Sequence, residues 1–433
     1  MKAHSNFLLQ TVLYLFGVGQ IVAAEADWPR FRGPNGSGIA VDAAPPVTWT
    51  DKQHLKWKRP LPGPGTSSPI VVSNKVFITS WTGPGTGGGA LQRHLVCLNR
   101  ADGAVLWSKA VAGEADPDAY SGFLQDHGYA SHTPACDGER VYVYFGRAGA
   151  LAFDLEGKEL WRVNLGNASN SKNWGSAASP VVYKDMVIIC ASEESHAVYA
   201  LDQRTGKQRW KAPGDALDYV FSTPVLATHE GRTDLLVSMP DELWGLNPDT
   251  GKLRWYAQTR LPGNISPGVL LGDGVAYAFG GFPRTGAVAV KLGGQNDVTQ
   301  THLQWAGNTS TYVPTPVLHE GRLYCATDNG YALCLDAKSG EVVFRERLED
   351  ASATGRGGKP FYASAVLAGG NVYAVSRRNG TFVFAAAPQF KLVARNLLES
   401  DKSQCNATPA IVGRQLFLRT DAALYCFEKP AKP

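Results

Sequence analysis

A block of about 45 residues recurs along this chain, and no other feature limits its fold so strongly. Ser179 to Trp210 reads SPVVYKDMVIICASEESHAVYALDQRTGKQRW, and Thr223 to Trp255 reads TPVLATHEGRTDLLVSMPDELWGLNPDTGKLRW. Thr315 to Phe344 reads TPVLHEGRLYCATDNGYALCLDAKSGEVVF. Each block opens on Ser/Thr-Pro and continues as four short apolar strands, with a Gly turn before the last and an aromatic within it. Taking the proline as marker gives Pro69, Pro134, Pro180, Pro224, Pro267, Pro316, Ala365 (in YASAVL) and Pro409. Eight units at this period predict an all-β chain folded as a single eight-bladed β-propeller with four-stranded blades.

The chain ends supply the closure. The eighth unit, Pro409 to Glu428, holds only three strands. Before the first unit lies an orphan HLKWKRPL, His54 to Leu61, with Trp57 at the fourth-strand aromatic position. An N-terminal strand is therefore expected to complete the last blade, which leaves no open edge between first and last blades. The repeat also explains the composition. Its Asp/Asn-x-x-Thr/Ser/Asp-Gly turn, as in Asp202-Thr205-Gly206 and Asp336-Ser339-Gly340, needs a glycine at positive φ and a carboxylate capping backbone N–H groups. That turn contributes repeatedly to the 47 glycines, and the blades account for most of the 11 tryptophans, which read as packing between blades. The seventh unit departs, with Ala365 for Pro and no such turn before FKLVARN.

The outer segments read differently. Met1-Lys2, the apolar stretch Phe7 to Val22 and the small residues Val22-Ala23-Ala24 predict a signal peptide over 1–24, cut before Glu25. An N-terminal extension follows over 25–53, then the propeller over 54–428 and a tail over 429–433. The mature chain is expected to be periplasmic or secreted and monomeric, with no transmembrane segment after cleavage. A net charge of +4 without a run of basic residues gives nucleic-acid binding no support. Seven cysteines, with no CxxC, suggest neither a disulfide scaffold nor zinc, and no metal site is expected.

YALDQRTGKQRW and CLDAKSGEVVF resemble the PQQ-like repeat, named after pyrroloquinoline quinone enzymes. The opening WPRFRGPNGSG, Trp28 to Gly38, is similar to the mature start of many exported bacterial propellers of that group. The resemblance covers about residues 54 to 428. It implies either a quinone-dependent alcohol or sugar dehydrogenase or a non-catalytic propeller. The latter kind is exemplified by the propeller subunit of the outer-membrane β-barrel assembly machinery. Adjacent cysteines, the Glu/Asn calcium pattern and CxxCH, which mark the enzymes, are not found here, and neither is the lipid-attachment cysteine of the assembly subunit. The reading that follows is a ligand-binding or protein-interaction scaffold of the cell envelope. Its partner would be an envelope protein or a small ligand such as a sugar or peptide, and no cofactor is expected. PQQ with Ca²⁺ belongs only to the alternative, a dehydrogenase with an atypical site.

Cys97, Cys334 and Cys426 occupy the alanine position of YALD, held by Ala200 in the third unit, a slot for a small buried side chain. Asn329-Gly330 reads as a two-residue hairpin turn that would set Cys325 opposite Cys334, close enough for a disulfide. Three connections between a fourth strand and the next first strand are long: 108–133, 162–179 and 345–364. They lie on one face, where propellers commonly bind. Their residues, with two from shorter connections, form the candidate site: Asp126, His127, Tyr129, Trp174, Tyr219, Tyr312, Arg356, Lys359 and Tyr362. Mixed polar and aromatic side chains at a concave centre suit a sugar, peptide or small anion. The same aromatics read equally as a plug. Asp126-His127 is the one adjacent acid–base pair among them, but no catalytic set is assigned.

Overall fold

The computed structural model describes residues 27–351 and 358–430; the signal-peptide segment and Arg356 lie outside the described residues. Eight antiparallel sheets form the eight blades. The last is completed as expected: Leu55–Pro60 pairs with Ala423–Glu428, with Trp57 opposite Cys426. Two blades carry a fifth strand. Ile39–Ala40 lies parallel to the inner strand of blade 7, and Asn296–Asp297 lies parallel to the outer strand of blade 4. In blade 5 the inner strand is Leu270–Gly272. Val269, not Pro267, therefore takes the marker position immediately before it.

One contact repeats between blades. The outer-strand tryptophan lies over the glycine turn of the next blade, and its indole N–H donates to a carbonyl there. Trp57 bonds Arg100 O, Trp107 Leu155 O, Trp161 Gln203 O, Trp210 Pro248 O and Trp305 Ala337 O, at 2.9–3.0 Å. A Cβ on Gly251 would stand 2.5 Å from the Trp210 ring, and Gly251 sits at φ +72°. The turn demands glycine twice, for its backbone and for its neighbour. Opposite each tryptophan, one strand inward, stands a small residue: Cys97, Ala152, Ala200, Gly245, Ala289 and Cys426. Cys334 faces Phe344 in the same way. All eight outer strands bulge at the residue before this position. A bulge adds local twist, and this one recurs where the aromatics cross to their neighbours, and is kept in blade 7, where Ala394 takes the position.

Trp255 is the exception. Its indole donates to Asp234 at 2.8 Å within its own blade. Blade 5 has no Asp-x-x-Thr-Gly turn to receive it, and its longer segment supplies Asn296–Asp297 along that edge instead.

Around the axis runs a second repeated contact. The residue two before each inner strand is Ser68, Thr133, Ser179, Thr223, Thr315, Ser364 or Thr408. Its backbone N–H donates to the hydroxyl of the next blade for the pairs 68–133, 133–179, 179–223, 315–364 and 364–408, at 2.9–3.1 Å. Blade 5 places Gly268 there. Gly268 donates to Thr315 but has no hydroxyl to offer Thr223.

The N-terminal extension threads across the ring. Trp28 bridges Val71 on blade 1, and Pro29 accepts from Cys136 N on blade 2. Arg30 reaches Pro224 O on blade 4 at 3.3 Å. Arg32 makes five hydrogen bonds, every one to a backbone carbonyl, including Thr315, Pro316 and Ala365 on blades 6 and 7. Both guanidinium groups are buried, and desolvation pushes their pKa values down to about 10 and about 9. A planar fork of donors suits convergent carbonyls. The segment ends with Trp49 packed between Tyr373 and Phe427 of blades 7 and 8.

The hairpin of blade 6 corrects the expected disulfide. Thr327 N donates to Tyr331 O at 2.8 Å and Gly330 N to Thr327 O at 2.9 Å, which makes the loop three residues long instead of two. Asp328 is drawn into that loop by the Tyr312 N–H at 3.0 Å and by Lys359. The added residue shifts the register by one and turns the cysteines to opposite faces. Cys325 faces Leu333, and Cys334 faces Tyr324. Cys325 packs into the core shared with blade 5, Cys334 into the core shared with blade 7, and both are free thiols.

Gly251→Ala combines left-handed strain with overpacking against Trp210. The expected loss is about 2–4 kcal/mol, read as a lowered thermal midpoint, while Ala at exposed Gly231, which has open space around it, loses only the backbone part.

Candidate functional site

The connections from outer to inner strands, together with the hairpins between second and third strands, open on one face. At its centre they enclose a funnel of about 180 Å³. The wall is mainly aromatic: Phe123, Trp174, Phe221, Tyr312 and Tyr362. Hydroxyls of the axial girdle, among them Thr133, Ser179, Thr223 and Thr408, ring it lower down. Phe31 of the threading segment also lines it, so the extension that ties the blades together reaches the funnel.

Five of the predicted residues meet in this funnel: Asp126, His127, Trp174, Tyr312 and Tyr362. Their polar groups are engaged. The Asp126 carboxylate takes a 2.5 Å bond from Arg377 and a 3.4 Å bond from the Tyr362 hydroxyl. Arg377 also bonds Gln404 and Asn406 and lies 4.4 Å over the Tyr362 ring. His127 turns away from Asp126. One ring nitrogen meets Ser131 Oγ at 2.5 Å and the other Trp174 O at 2.6 Å. Burial lowers its pKa below the usual 6.5. The adjacent pair is thus a loop brace, because both nitrogens are committed and the carboxylate already pairs with an arginine.

Lys359 pairs with Asp328 and lies 4.6 Å over Tyr312. Lys172 is a different case: it stacks over Trp174 at 4.5 Å and Tyr219 at 5.0 Å. Tyr219 therefore supports the rim without lining the funnel. Tyr129 is displaced altogether. It is buried among Trp81 and Tyr120, and its hydroxyl donates to Asp118 O at 2.5 Å.

Sequence reasoning missed Arg377, Asp328, Asn406 and Phe31. It also missed a buried polar cluster between blades 1, 2 and 3. There Arg93 forks onto Glu114 at 2.8 and 3.1 Å, and Arg147 reaches Asp118 at 3.2 Å. Glu193 and Glu194 stand beside them, both buried. Burial and then Glu194 push the Glu193 carboxyl up to about 8. The available signal was topological: second-to-third-strand hairpins share the face of the long connections, and these hairpins carry charge.

The family described as outer membrane protein assembly factor BamB, a PQQ repeat family, matches residues 92–346. The chain belongs to this family. It is 26% identical over 236 residues to outer membrane protein assembly factor BamB of Yersinia pestis, covering 51% of this chain and 58% of that protein. It is 24% identical over 240 residues to tetrathionate hydrolase of Acidithiobacillus ferrooxidans, covering 49% and 45%. The chain thus spans about half the length of these curated relatives. Among solved structures, BamB from Moraxella catarrhalis superposes with TM-score 0.60 at 13% identity, covering 87% of this chain and 99% of that one. A europium-containing methanol dehydrogenase gives 0.62 at 12%, covering 93% and 98%. Both likenesses concern the fold.

The funnel residues do not fit a pyrroloquinoline quinone with its metal. The hard cation that accompanies the quinone calls for convergent, uncommitted carboxylate oxygens. Here Asp126 and Asp328 are already paired with Arg377 and Lys359, and the volume lies below the ~300–1,000 Å³ usual for small-molecule sites.

The raised Glu193 pKa sets a pH dependence. Protonation is favoured in the folded state, so this contribution is full below the ordinary 4.5 and is lost as pH rises through about 8. His127 and His132, lowered by burial, act oppositely and only below about 6.5. Stability should therefore fall between pH 6.5 and 8, and Glu193→Gln should flatten that fall in denaturant melts.

Proposed function

We propose that this BamB-family propeller is a binding scaffold of the cell envelope and that it engages its partner through the funnel face. The observation that carries this reading is the engagement of the funnel's ionisable groups with one another around an aromatic wall. A site prepared for acid–base chemistry keeps a base or acid available to substrate. This one instead presents Trp174, Tyr362, Tyr312 and the Lys172 ammonium to whatever enters. Aromatic anchors backed by a cation are typical of protein-binding centres. The family is described as an assembly factor, and the Yersinia pestis relative carries that name, which supports a protein partner and an envelope location. No helix among the described residues is long and apolar enough to cross a membrane.

Crosslinking in envelope preparations tests the proposal. A photoreactive residue at Lys172 should trap a discrete partner, and Trp174→Ala with Tyr362→Ala should weaken it by about 30-fold or more, as loss of hot-spot aromatics does. Binding unchanged by those substitutions, and lost instead on changing the opposite face at Val41, would contradict the assignment. Added quinone and Ca²⁺ should give neither a thermal shift nor alcohol-dependent dye reduction; saturable binding with turnover would establish the dehydrogenase instead.

A further inference from the structure

The polar cluster between blades 1, 2 and 3 surrounds a hollow of its own, apart from the funnel and about 40 Å³ in volume. That is room for one ammonium-sized group or a water or two. Its charges do not balance. Arg93 and Arg147 supply two positive charges, while Glu114, Asp118, Glu193 and Glu194 supply four carboxyls. The arginines are committed to Glu114 and Asp118. Asn170 donates to Glu193, but that neutral amide supplies no charge. Asp218, the next acid outward, has only His196 at 3.4 Å. Two buried carboxyls are left without a counter-charge, which is costly unless a proton or cation joins them.

The hydrogen bonds show what is missing. Ser176 Oγ donates to Glu194 Oε1 at 2.5 Å. It can then only accept from His132 Nε2, 3.1 Å away. That places the imidazole proton on Nε2 and leaves Nδ1 a lone pair. His132 Nδ1 and Glu194 Oε2 are both buried and lack any hydrogen-bond partner. Both residues line the hollow. Tyr144, edge-on to His132 at 4.9 Å, points its hydroxyl toward Glu194 and interacts with that carboxylate, although the geometry falls short of a full hydrogen bond. Arg147 Nη2, the unbonded donor in the lining, already faces the Glu114 and Asp118 carboxylates. The unmet groups at the other end of the hollow are therefore the ring nitrogen and the carboxylate oxygen, both acceptors, which a positively charged donor would match.

We propose that this hollow is a cation site for ammonium or the head group of a primary amine, held by Glu194 Oε2, Glu193 and His132 Nδ1. No three His, Cys, Asp or Glu side chains among the described residues are arranged to hold a metal ion, which favours a hydrogen-bonding cation over a coordinated one. The site lies beside the long 113–134 connection, so its occupant would also brace that loop.

Thermal melts and calorimetric titration of the wild-type protein in cation-depleted buffer provide the test. Methylammonium chloride should raise the midpoint saturably and titrate to one site, as ligand linkage requires. Tetramethylammonium chloride at equal ionic strength, too large and without donors, should do neither. Glu194→Gln should melt no lower than wild type without ligand, because it removes an uncompensated charge, and should lose the methylammonium response. Glu193→Gln should weaken it. No response of the wild type to methylammonium, or an equal response to tetramethylammonium, would overturn the proposal. So would stabilisation by K⁺ or Ca²⁺ alone, or a stability that follows only pH.

Discussion

The docking of an indole onto a neighbour's glycine turn is the interaction on which the whole ring depends. A four-stranded blade cannot bury both of its faces alone; each face needs a neighbour. Here the outer strand bulges, the tryptophan crosses the gap, its N–H finds a carbonyl, and glycine makes room for the ring. The small residue opposite, whether Ala, Gly or Cys, lets the same ring lie flat on its own blade. The three requirements fall on three separate strands or turns, and their agreement at five of the eight junctions is what turns a repetitive chain into one closed circle.

The threading N-terminal segment adds a second kind of closure. Leu55–Pro60 seals blade 8 by sheet pairing, whereas the residues before it cross the axis and hold blades 1, 2, 4, 6, 7 and 8 through backbone contacts, two arginines and Trp49. Arg30 and Arg32 work here because inner strands converge and offer carbonyls at the axis. For Arg32 the cost of burying the guanidinium is offset by five bonds to carbonyls instead of by a carboxylate, whereas Arg30 makes one bond, to Pro224 O at 3.3 Å. The same segment reaches the candidate site, since Phe31 between those arginines also lines the funnel.

Much of this architecture was legible because it is periodic. The blade count, the closing strand, the small slot under each aromatic and the shared face of the long loops all repeat or follow from repetition. What sequence could not supply was local and aperiodic. The blade 6 hairpin took one more residue into its loop because Asp328 is held by Tyr312 and Lys359, 16 and 31 residues away, and that single residue put Cys325 and Cys334 on opposite faces. Gly268 breaks the hydroxyl girdle where Pro267, three residues before the strand, suggested a regular blade. The long loops do bring Asp126, Trp174 and Tyr362 into the funnel. Arg377 and Glu193 escaped because charged hairpin residues look like ordinary surface until topology brings them to the same face.

Closure of the ring by its N-terminal strand is the claim from which the rigid funnel follows, and hydrogen exchange tests it most directly. If Leu55–Pro60 is a full member of blade 8, its sheet-bonded amides should exchange with the same protection as those of Ala423–Glu428, and both should open only with the ring as a whole. Early exchange of Leu55–Pro60 while Ala423–Glu428 stays protected would mean an open ring latched by its other contacts, and would contradict this account.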